Sequence, residues 1–351
     1  RALDLAVLEN LNVPILQAYT LANNKVDWEK SCEGMTPMEI SISISLPEFD
    51  GVIHSIPVAT NERTDEGRSR YICLPERIEL LARKVEKWTN LKYKKNSAKK
   101  VAIVFHNYPA LNSNIGSAAG LDSPESVRLL LKELARQGYE VDWIPENSQE
   151  FMKILTANAT NDRRYISERQ IADAYGHLST AAYLDFFKKL DEKTKAQLTL
   201  DWQEAPGDVF NYDGQLLIPG TINGNVFIIV QPPRGFEEDS GKLIHSPDCA
   251  PTHHYIGFYH WLRDIWQADA VIHVGTHGTL EWLPGKGAGL SKTCYPDISI
   301  GDMPNIYHYW ITVVGEGVQA KRRSAACLIS YLSPPMTTSG TYEELEELEK
   351  T

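Results

Sequence analysis

The fold is decided by three apolar stretches: Val101-Ala-Ile-Val-Phe105, Asn225-Val-Phe-Ile-Ile-Val230 and Asp269-Ala-Val-Ile-His-Val274. Uninterrupted apolar runs of this length are typical of strands buried in a parallel sheet. Residues 253–266, between the last two runs, have the apolar spacing of an amphipathic helix. A strand, helix, strand crossover makes its two strands parallel. We therefore expect the loops after these runs to lie at one edge of a sheet, where ligands bind in such folds.

Similar patterns extend over the rest of the chain. Apolar runs predict further strands at residues 13–19, 51–58 and 139–144. Pro75 begins a predicted helix whose apolar stripe is expected to face the core: Ile78, Leu81, Ala82, Val85 and Trp88. A second predicted helix is capped by Asp122 or Ser123 and stopped by Gly138. These elements predict an α/β fold with parallel-sheet, Rossmann-like units and helices on both faces.

The chain is long enough for more than one domain. A basic, polar run at residues 92–100 is the best candidate linker. We predict an α/β unit at 1–95, an α/β unit with a helical insert at 96–205, and an α/β site region at 206–351 with an acidic helical tail. Because the chain has no initiator Met, we expect it to be a segment of a longer polypeptide.

Composition excludes several classes of protein. The 351 residues carry a net charge of −11, which disfavours nucleic-acid phosphates and anionic membranes as partners. No apolar stretch approaches the roughly 18 residues that would span a bilayer. The chain has 5 cysteines, an odd number, with no Cys-x-x-Cys pair, so neither a disulfide framework nor a thiolate zinc site is indicated. A reducing, cytoplasmic location fits best.

The densest cluster of reactive side chains follows the last apolar run. His273, His277 and Glu281 are spaced four residues apart across a glycine-bearing turn. Two imidazoles and a carboxylate could hold zinc or another divalent ion, or act as a base beside a metal, and the spacing does not choose between these. The plainer interpretation is a core histidine followed by an ordinary turn.

Other candidates lie in the neighbouring loops. Arg234 follows two prolines and could bind a substrate carboxylate or form a structural ion pair. His253 and His254 lie at the start of the helix predicted at residues 253–266, which is rich in aromatic residues. His106 begins the loop after the first apolar run. The basic cluster at residues 321–323 could be a face for an acidic partner or substrate, and a solvated helix face is the plainer interpretation. The phosphate-cradle motifs of nucleotide-binding folds are absent from the sequence, so any ATP hydrolysis must come from a partner.

Several strings, in order along nearly the whole chain, resemble the large subunits of cobaltochelatase and magnesium chelatase. They are Leu46-Pro-Glu-Phe-Asp-Gly51, His106-Asn-Tyr-Pro109, Gln231-Pro-Pro-Arg-Gly235, His253-His-Tyr255, Val271-Ile-His-Val-Gly-Thr-His-Gly-Thr-Leu-Glu-Trp-Leu-Pro-Gly-Lys286, Cys294-Tyr-Pro296, Pro304-Asn-Ile-Tyr307, Gln319-Ala-Lys-Arg-Arg323 and Ser333-Pro-Pro335. The resemblance implies a cytoplasmic subunit that binds a tetrapyrrole, houses metal insertion and works with AAA+ ATPase subunits. Since chains of this family are several times longer, it also implies a central fragment of a larger multidomain subunit.

The resemblance also implies roles for individual residues. Glu281 is expected to hold the metal, with His277 or His273 as proton acceptor or second ligand. Arg234 and Lys286 are expected to pair with polar groups on the rim of the ring, and Trp282 to stack on its face. His106, His253 and His254 complete the expected substrate-binding set.

The sequence leaves more than one metal and more than one function open. The strings Trp282-Leu-Pro-Gly-Lys286 and His253-His-Tyr255 look like the cobalt type, whereas Thr276 looks like the magnesium type. We therefore expect a metal–nitrogen ligase that inserts Co²⁺ into a cobalamin-precursor, hydrogenobyrinate-like ring, with Mg²⁺ and a porphyrin as the alternative. A metal-dependent hydrolase and a non-catalytic tetrapyrrole carrier or sensor are the competing hypotheses.

Overall fold

The computed structural model describes residues 5–158, 160–162, 166–235, 246–275, 278–310 and 312–332. The strands are β1 (Ile15–Thr20), β2 (Val52–Arg63), β3 (Ser69–Cys73), β4 (Val101–Phe105), β5 (Gly176–Ser179), β6 (Asn211–Tyr212), β7 (Gln215–Ile218), β8 (Gly220–Asn223), β9 (Val226–Val230), β10 (Ala270–Val274), β11 (Asn305–Trp310) and β12 (Ala326–Tyr331). The helices are α1 (Leu5–Leu11), α2 (Lys25–Lys30), α3 (Pro37–Ile40), α4 (Leu46–Phe49), α5 (Pro75–Tyr93), α6 (Ser123–Arg136), α7 (Ser148–Asn158), α8 (Glu168–Ala172), α9 (Thr180–Phe187), α10 (Glu192–Trp202), α11 (His253–His260), α12 (Tyr295–Ile300) and α13 (Val314–Ser324). None of the helices in these ranges has the length and apolar character needed to cross a membrane.

The central sheet has the strand order β12-β11-β10-β4-β9-β8. Neighbouring strands from β12 to β9 are parallel, and β8 is antiparallel to β9. The predicted parallel relation of β9 and β10 is confirmed, although β4 lies between them. Their helical connection contains α11, which continues into one π-helical turn (Trp261–Ile265).

Helices cover both faces of this sheet, as the sequence predicts. On one face, Val104, Phe227 and Val271 pack with the aromatic side chains of α11. On the other face, Ile103 and Ile228 pack with apolar residues of α6 and α7. Every residue of β4, β9 and β10 is buried, and each large apolar side chain contributes roughly 1.5–3 kcal/mol to folding. The fold class is therefore mixed α/β, with a largely parallel sheet.

Two smaller sheets flank the central one. β1 pairs parallel to β2, and β3 pairs antiparallel to β2. β5, β7 and β6 form an antiparallel sheet that packs beside α9 and α11. Residues 150–205 are largely helical as expected, but β5 within them was not predicted. The predicted acidic helix at residues 343–349 lies outside the described residues.

The buried face of α5 is not the predicted one. Arg77, Leu80 and Lys84 are buried, whereas Ile78 and Val85 are 42% and 47% exposed. The charged face is selected because Arg77 forms a buried ion pair and Lys84 Nζ donates to a backbone carbonyl. The spacing of apolar residues carries no information about such polar contacts. The predicted orientation of this helix was therefore wrong.

The strand predicted at residues 139–144 is also wrong. Instead of a strand ladder, the side chain of Asn223 holds this segment: its Oδ1 accepts from the backbone N–H groups of Asp142 and Trp143 over 2.8 and 2.9 Å. Its Nδ2 donates to the carbonyl of Trp143 over 2.8 Å. The backbone groups of this extended segment therefore form hydrogen bonds with the amide side chain of Asn223, next to the turn between β8 and β9.

The predicted domain boundaries stay a prediction. The central sheet combines β4, from the predicted second unit, with strands of the third. The first unit contacts the third through Trp28, whose Nε1 donates to the carbonyl of Gly289 over 2.8 Å.

Candidate functional site

Loops meet at the carboxyl edge of the central sheet. The loop after β4 begins at His106, whose backbone N–H donates to the carbonyl of Val274 at the end of β10 over 2.8 Å. The loop after β9 begins at Gln231, whose backbone N–H donates to the carbonyl of Phe105 over 2.8 Å. The sheet edge therefore brings together the three loops singled out in the sequence.

Gly275 permits the closest approach between two of these loops. Its φ is 151°, and a Cβ at this position would lie 2.3 Å from the Cβ of His106. Only glycine avoids that collision and adopts this backbone conformation without strain. The next residues, Thr276 and His277, lie outside the described residues, so the predicted role of His277 stays a prediction.

Glu281 lies on a 3-10 turn (Leu280–Trp282) and is 1% exposed. Its Oε1 accepts a hydrogen bond from the hydroxyl of Tyr307 over 2.9 Å. Tyr307 lies on β11, and its oxygen accepts from the backbone N–H of Gly278. Burial, followed by the negative charge of Glu281, raises the pKa of Tyr307 well above its usual value. The phenol therefore stays protonated and serves as a donor to the carboxylate.

A buried polar network holds the start of this turn. Gln231 Oε1 accepts from the backbone N–H of Thr279 over 3.2 Å, and its Nε2 donates to the hydroxyl of Tyr259 over 2.7 Å. The hydroxyls of Thr279 and Tyr255 lie 2.7 Å apart. Tyr255 and Tyr259 both belong to α11, so two hydroxyl groups of this helix take part in the network. Such a network fixes the turn because each buried polar group is costly to leave unpaired.

His273 is a fully engaged core histidine. Its Nδ1 lies 2.7 Å from Oδ1 of Asn305, and its Nε2 lies 3.0 Å from the hydroxyl of Tyr259. Nδ2 of Asn305 donates to the carbonyl of Ser324, so Asn305 presents its oxygen and Nδ1 of His273 carries the proton. Burial lowers the pKa of His273 to about 4. These contacts hold His273 in the scaffold of the site, and its expected role as proton acceptor or second metal ligand stays a prediction.

Arg234 binds the protein's own backbone. It is 2% exposed, and its guanidinium donates to the carbonyls of Trp282 over 2.9 Å and Cys249 over 2.8 Å, as well as to that of Ser246. These carbonyls occupy the fork that was expected to bind a substrate carboxylate. Arg234 thus ties the Glu281 turn to the segment before α11, and its expected contact with a substrate carboxylate stays a prediction.

Lys286 is also a structural cation. It is 4% exposed, and its Nζ donates to the carbonyls of Trp28 over 2.5 Å and Glu29 over 3.3 Å, and to that of Ser31. These carbonyls lie at the carboxyl end of α2, where the helix dipole favours a cation. Lys286 therefore anchors the loop to the first unit, and its predicted contact with a macrocycle stays a prediction.

His253 and His254 contact the layer of the small antiparallel sheet. Nδ1 of His253 lies 2.7 Å from the hydroxyl of Tyr183, and its Nε2 lies 3.1 Å from the carbonyl of Gln203. Nε2 of His254 lies 2.7 Å from the carbonyl of Leu217. Burial lowers the pKa of both imidazoles. Both rings therefore hold α11 in place, and their expected role in substrate binding stays a prediction.

Three of the predicted site residues remain at the sheet edge. His106 is 7% exposed and touches Gly275, Glu281 lies on the turn that follows, and Trp282 is partly buried beside it. We therefore centre the candidate site on Glu281, and the roles predicted for these residues stay predictions.

Comparison with known proteins defines the relationship. A family model described as CobN/Magnesium Chelatase matches residues 1–351. The chain belongs to the CobN/magnesium chelatase family. This confirms the resemblance found in the sequence strings.

Individual relatives of this family align over almost the entire chain. An uncharacterized protein of Methanocaldococcus jannaschii is 49% identical over 98% of this chain and 28% of its own length. The aerobic cobaltochelatase subunit CobN of Pseudomonas aeruginosa is 37% identical, covering 97% of this chain and 27% of the relative. The chloroplastic magnesium-chelatase subunit ChlH of Oryza sativa is 35% identical, covering 98% and 24%. The chain thus spans about a quarter of the length of these relatives.

A solved structure supports the same assignment. The catalytic subunit of cobaltochelatase from Mycobacterium tuberculosis superimposes with a TM-score of 0.86 at 34% identity. The alignment covers 98% of this chain and 29% of that subunit. The α/β architecture described above therefore matches a segment of that larger subunit.

The sequence missed several residues that shape the site of this family member. Tyr307 stands in a quoted string, but its contact with Glu281 required the register of β11. Asn161 and Asp162 are buried, and Nδ2 of Asn161 donates to the carbonyl of Gln231. The only sequence signal for them was a Thr-Asn-Asp string inside an otherwise helical region.

Arg323 was expected on a solvated helix face, and the structure corrects this. Its side chain is 8% exposed and contacts the loop that carries Glu281. Among the residues that the structure describes, no cluster of three or more His, Cys, Asp or Glu side chains could hold a metal ion. In a chelatase the metal ion is a substrate.

Proposed function

We propose that this chain is the metal-handling core of the large, tetrapyrrole-binding subunit of an ATP-dependent chelatase. The reaction is a metal–nitrogen ligation in which a divalent ion replaces the two protons of the pyrrole nitrogens. Membership of the CobN/magnesium chelatase family and the likeness to a cobaltochelatase catalytic subunit support this class of reaction.

The observation that carries the proposal is the burial of Glu281 together with the hydrogen bond to its carboxylate. A carboxylate that is 1% exposed and receives a hydrogen bond from a neutral phenol is held in one orientation at the meeting point of the loops. Carboxylate oxygens are hard ligands that bind divalent ions. In a site with little water, the charge of Glu281 attracts a partly dehydrated cation more strongly than it would in bulk solvent. Glu281 therefore delivers the ion to the ring.

The pyrrole protons need an acceptor close to that ion. His277 is proposed as this acceptor, because it lies between Gly275 and Glu281 in the sequence. His106, which touches Gly275, is proposed to contact the ring from the neighbouring loop. Trp282 is proposed to stack on the ring face.

Cobalt is the proposed metal and a hydrogenobyrinate-like ring the proposed acceptor. The choice rests on the strings Trp282-Leu-Pro-Gly-Lys286 and His253-His-Tyr255, which resemble the cobalt type. Identity to the cobaltochelatase subunit and to the magnesium-chelatase subunit is nearly equal, 37% against 35%, so overall identity does not decide. The sequence lacks a phosphate-cradle motif, and we propose that AAA+ partner subunits hydrolyse ATP. The cytoplasm stays the predicted location.

The deciding experiment replaces Glu281 in the full-length subunit. Wild type, Glu281→Gln and the control Glu133→Gln are titrated with a hydrogenobyrinate-type ring and with protoporphyrin, and then assayed for metallation by Co²⁺ or Mg²⁺ with ATP and the partner subunits. Glu133 is exposed and lies on α6 beside Arg136. The control therefore makes the same Glu-to-Gln change outside the candidate site. We expect Glu281→Gln to bind the ring within about threefold of wild type and to lose metallation by about a hundredfold or more.

Each outcome is informative. Ring binding without metallation by the wild-type complex would identify a carrier and refute the chelatase proposal. Unchanged turnover of Glu281→Gln would remove the role of Glu281. Faster metallation with Mg²⁺ and protoporphyrin than with Co²⁺ would overturn the choice of metal.

A further inference from the structure

We propose that Arg323 is the positioning residue of the Glu281 loop: its guanidinium binds the backbone of residues 281–286 and thereby fixes where the Glu281 carboxylate meets the metal. This inference rests on the proposed function. It concerns a residue whose sequence context, a basic cluster on a helix, predicted a solvated surface or a face for an acidic partner or substrate.

The contacts of Arg323 all go to one loop. Nη2 donates to the carbonyl of Leu283 over 2.7 Å, Nε donates to the carbonyl of Lys286 over 3.0 Å, and Nη1 donates to the carbonyl of Glu281. The planar guanidinium offers five N–H donors in a fixed arrangement, which suits several acceptors around one plane. A lysine ammonium at the end of a flexible chain cannot reproduce this geometry.

The burial of Arg323 indicates that these contacts are specific. The side chain is 8% exposed, and no carboxylate in the described ranges lies within ion-pair distance of it. Burying an unpaired cation is costly unless its donors are satisfied. Here the loop carbonyls satisfy them, and the charge of Glu281 acts favourably on the guanidinium from a longer distance.

Glu281 is held at both ends by one structural unit. Tyr307 on β11 binds its carboxylate, and Arg323 on α13, the next helix along the chain, binds its backbone carbonyl. From another element, Arg234 binds the carbonyl of Trp282 over 2.9 Å. With its backbone and its carboxylate both fixed, Glu281 has little freedom to move away from the ring, and such preorganisation is a large part of catalytic power.

The neighbouring Arg322 provides a matched control. It lies on the same helix, but Nη2 pairs with Oε2 of Glu48 over 2.7 Å and donates to Oγ of Ser45 over 3.0 Å. Its contacts therefore go to the first unit and not to the Glu281 loop. Replacing either Arg322 or Arg323 by Gln removes one positive charge from the same helix turn, and replacing either by Lys keeps it.

The test compares Arg323→Lys and Arg323→Gln with Arg322→Lys and Arg322→Gln in the full-length subunit. Hydrogen exchange of the peptide covering residues 280–287 reports on the loop, and it does not depend on activity. Absorbance titration gives the Kd for the ring, and steady-state assays with the partner subunits give kcat and the KM for the metal. Thermal unfolding of each variant confirms that it is folded.

Both Arg323 variants should exchange the loop amides about tenfold faster or more, and lower kcat by about 10- to 100-fold, since hydrogen bonds from a charged group are worth about 1.5–3 kcal/mol. Ring Kd should stay within about threefold of wild type, because the loop is proposed to position the metal ligand. The Arg322 variants should match wild type in all three measurements. If Arg323→Gln does not fold, Arg323→Lys decides alone.

Three results would overturn the proposal. They are unchanged loop exchange in the Arg323 variants, faster exchange without loss of kcat, and full activity of Arg323→Lys, which would show that charge alone suffices. If the wild-type complex does not metallate any ring, the proposed function fails, while the exchange measurement still decides whether Arg323 holds the loop.

Discussion

The hydroxyl of Tyr307 donates to Oε1 of Glu281 over 2.9 Å, and the two side chains are 3% and 1% exposed. They come from different elements, since Tyr307 belongs to β11 and Glu281 to the turn after β10. The same phenol oxygen accepts from the backbone N–H of Gly278. Tyr307 therefore links the carboxylate to the glycine at the start of its own loop.

Replacing Tyr307 by Phe should separate carboxylate orientation from ring binding. The change removes one donor to a charged group, which is worth about 1.5–3 kcal/mol, and leaves the Gly278 N–H without that acceptor. We expect kcat for metallation to fall by about 10- to 100-fold with ring Kd nearly unchanged. Steady-state metallation and absorbance titration of the full-length subunit measure both.

Tyr331→Phe is the control for this change. The hydroxyl of Tyr331 donates to the carbonyl of Ala119 over 3.0 Å in an exposed position. Its removal should leave kcat within about twofold of wild type. Equal losses in the two variants would contradict a specific role for Tyr307.

Gly275→Ala tests the close contact between the loops after β4 and β10. A methyl group at this position would lie 2.3 Å from the Cβ of His106, and the φ of 151° disfavours any side chain. We expect the loops to separate, with a loss of metallation and a lower Tm. Metallation assays and thermal unfolding measure the two effects.

Gly315→Ala is the matching control. Gly315 lies in α13, and a Cβ there would meet nothing within 4 Å. Because alanine favours helix by up to about 1 kcal/mol over glycine, this variant should be as stable as wild type or slightly more stable. A Gly275→Ala protein with wild-type Tm and turnover would show that the contact is not needed.

The sequence predicts the central part of the fold because the relevant information is local. The runs that form β4, β9 and β10 are continuous and apolar, and burial on both faces of a parallel sheet requires that pattern. The crossover rule then places the following loops at one edge. The position of Glu281 at that edge follows from these two facts together.

The errors arise where polar contacts between distant residues decide the structure. Apolar spacing on α5 predicts the wrong buried face because Arg77 and Lys84 find partners more than 200 residues away in the chain. Likewise, the backbone carbonyls that accept from Arg234 and Lys286 could not be predicted from spacing. A sequence shows where the arginine and lysine side chains are, but it does not show which groups accept their hydrogen bonds.

The buried pair of Arg77 and Asp297 makes a direct prediction about stability. Their side chains are 5% and 7% exposed, and Nη1 of Arg77 also donates to the carbonyl of Leu290 over 3.1 Å. Arg77→Met leaves a buried carboxylate without its partner, which should lower the free energy of unfolding by about 3–5 kcal/mol. Denaturant unfolding of the 351-residue chain measures this.

Two further variants complete that experiment. The double variant Arg77→Met/Asp297→Leu removes both charges and should recover much of the lost stability. The exposed pair of Arg136 and Glu133, with side chains 69% and 51% exposed, is the control, and Arg136→Met should cost less than about 1 kcal/mol. A double variant no more stable than Arg77→Met would show that the pair is not the cause.

His273 gives the chain a predictable response to acid. Burial lowers its pKa from 6.5 to about 4 in the folded state. As the pH falls below 6.5, the unfolded chain binds a proton that the folded chain does not, so the free energy of unfolding decreases until the pH reaches about 4. Stability from this group is thus complete above pH 6.5 and is lost on acidification, at about 1.4 kcal/mol per pH unit at most.

The variant His273→Gln isolates that contribution. The glutamine amide can still donate to Asn305 and accept from Tyr259, the two contacts of the imidazole, but it does not titrate. At pH 7.5 the variant should be less stable than wild type, and the difference should shrink by about 2–3 kcal/mol when denaturant unfolding is repeated at pH 4.5. A difference that is the same at both pH values would mean that His273 takes up a proton as readily in the folded chain as in the unfolded one, contrary to its contacts with Asn305 and Tyr259 in the scaffold beneath Glu281.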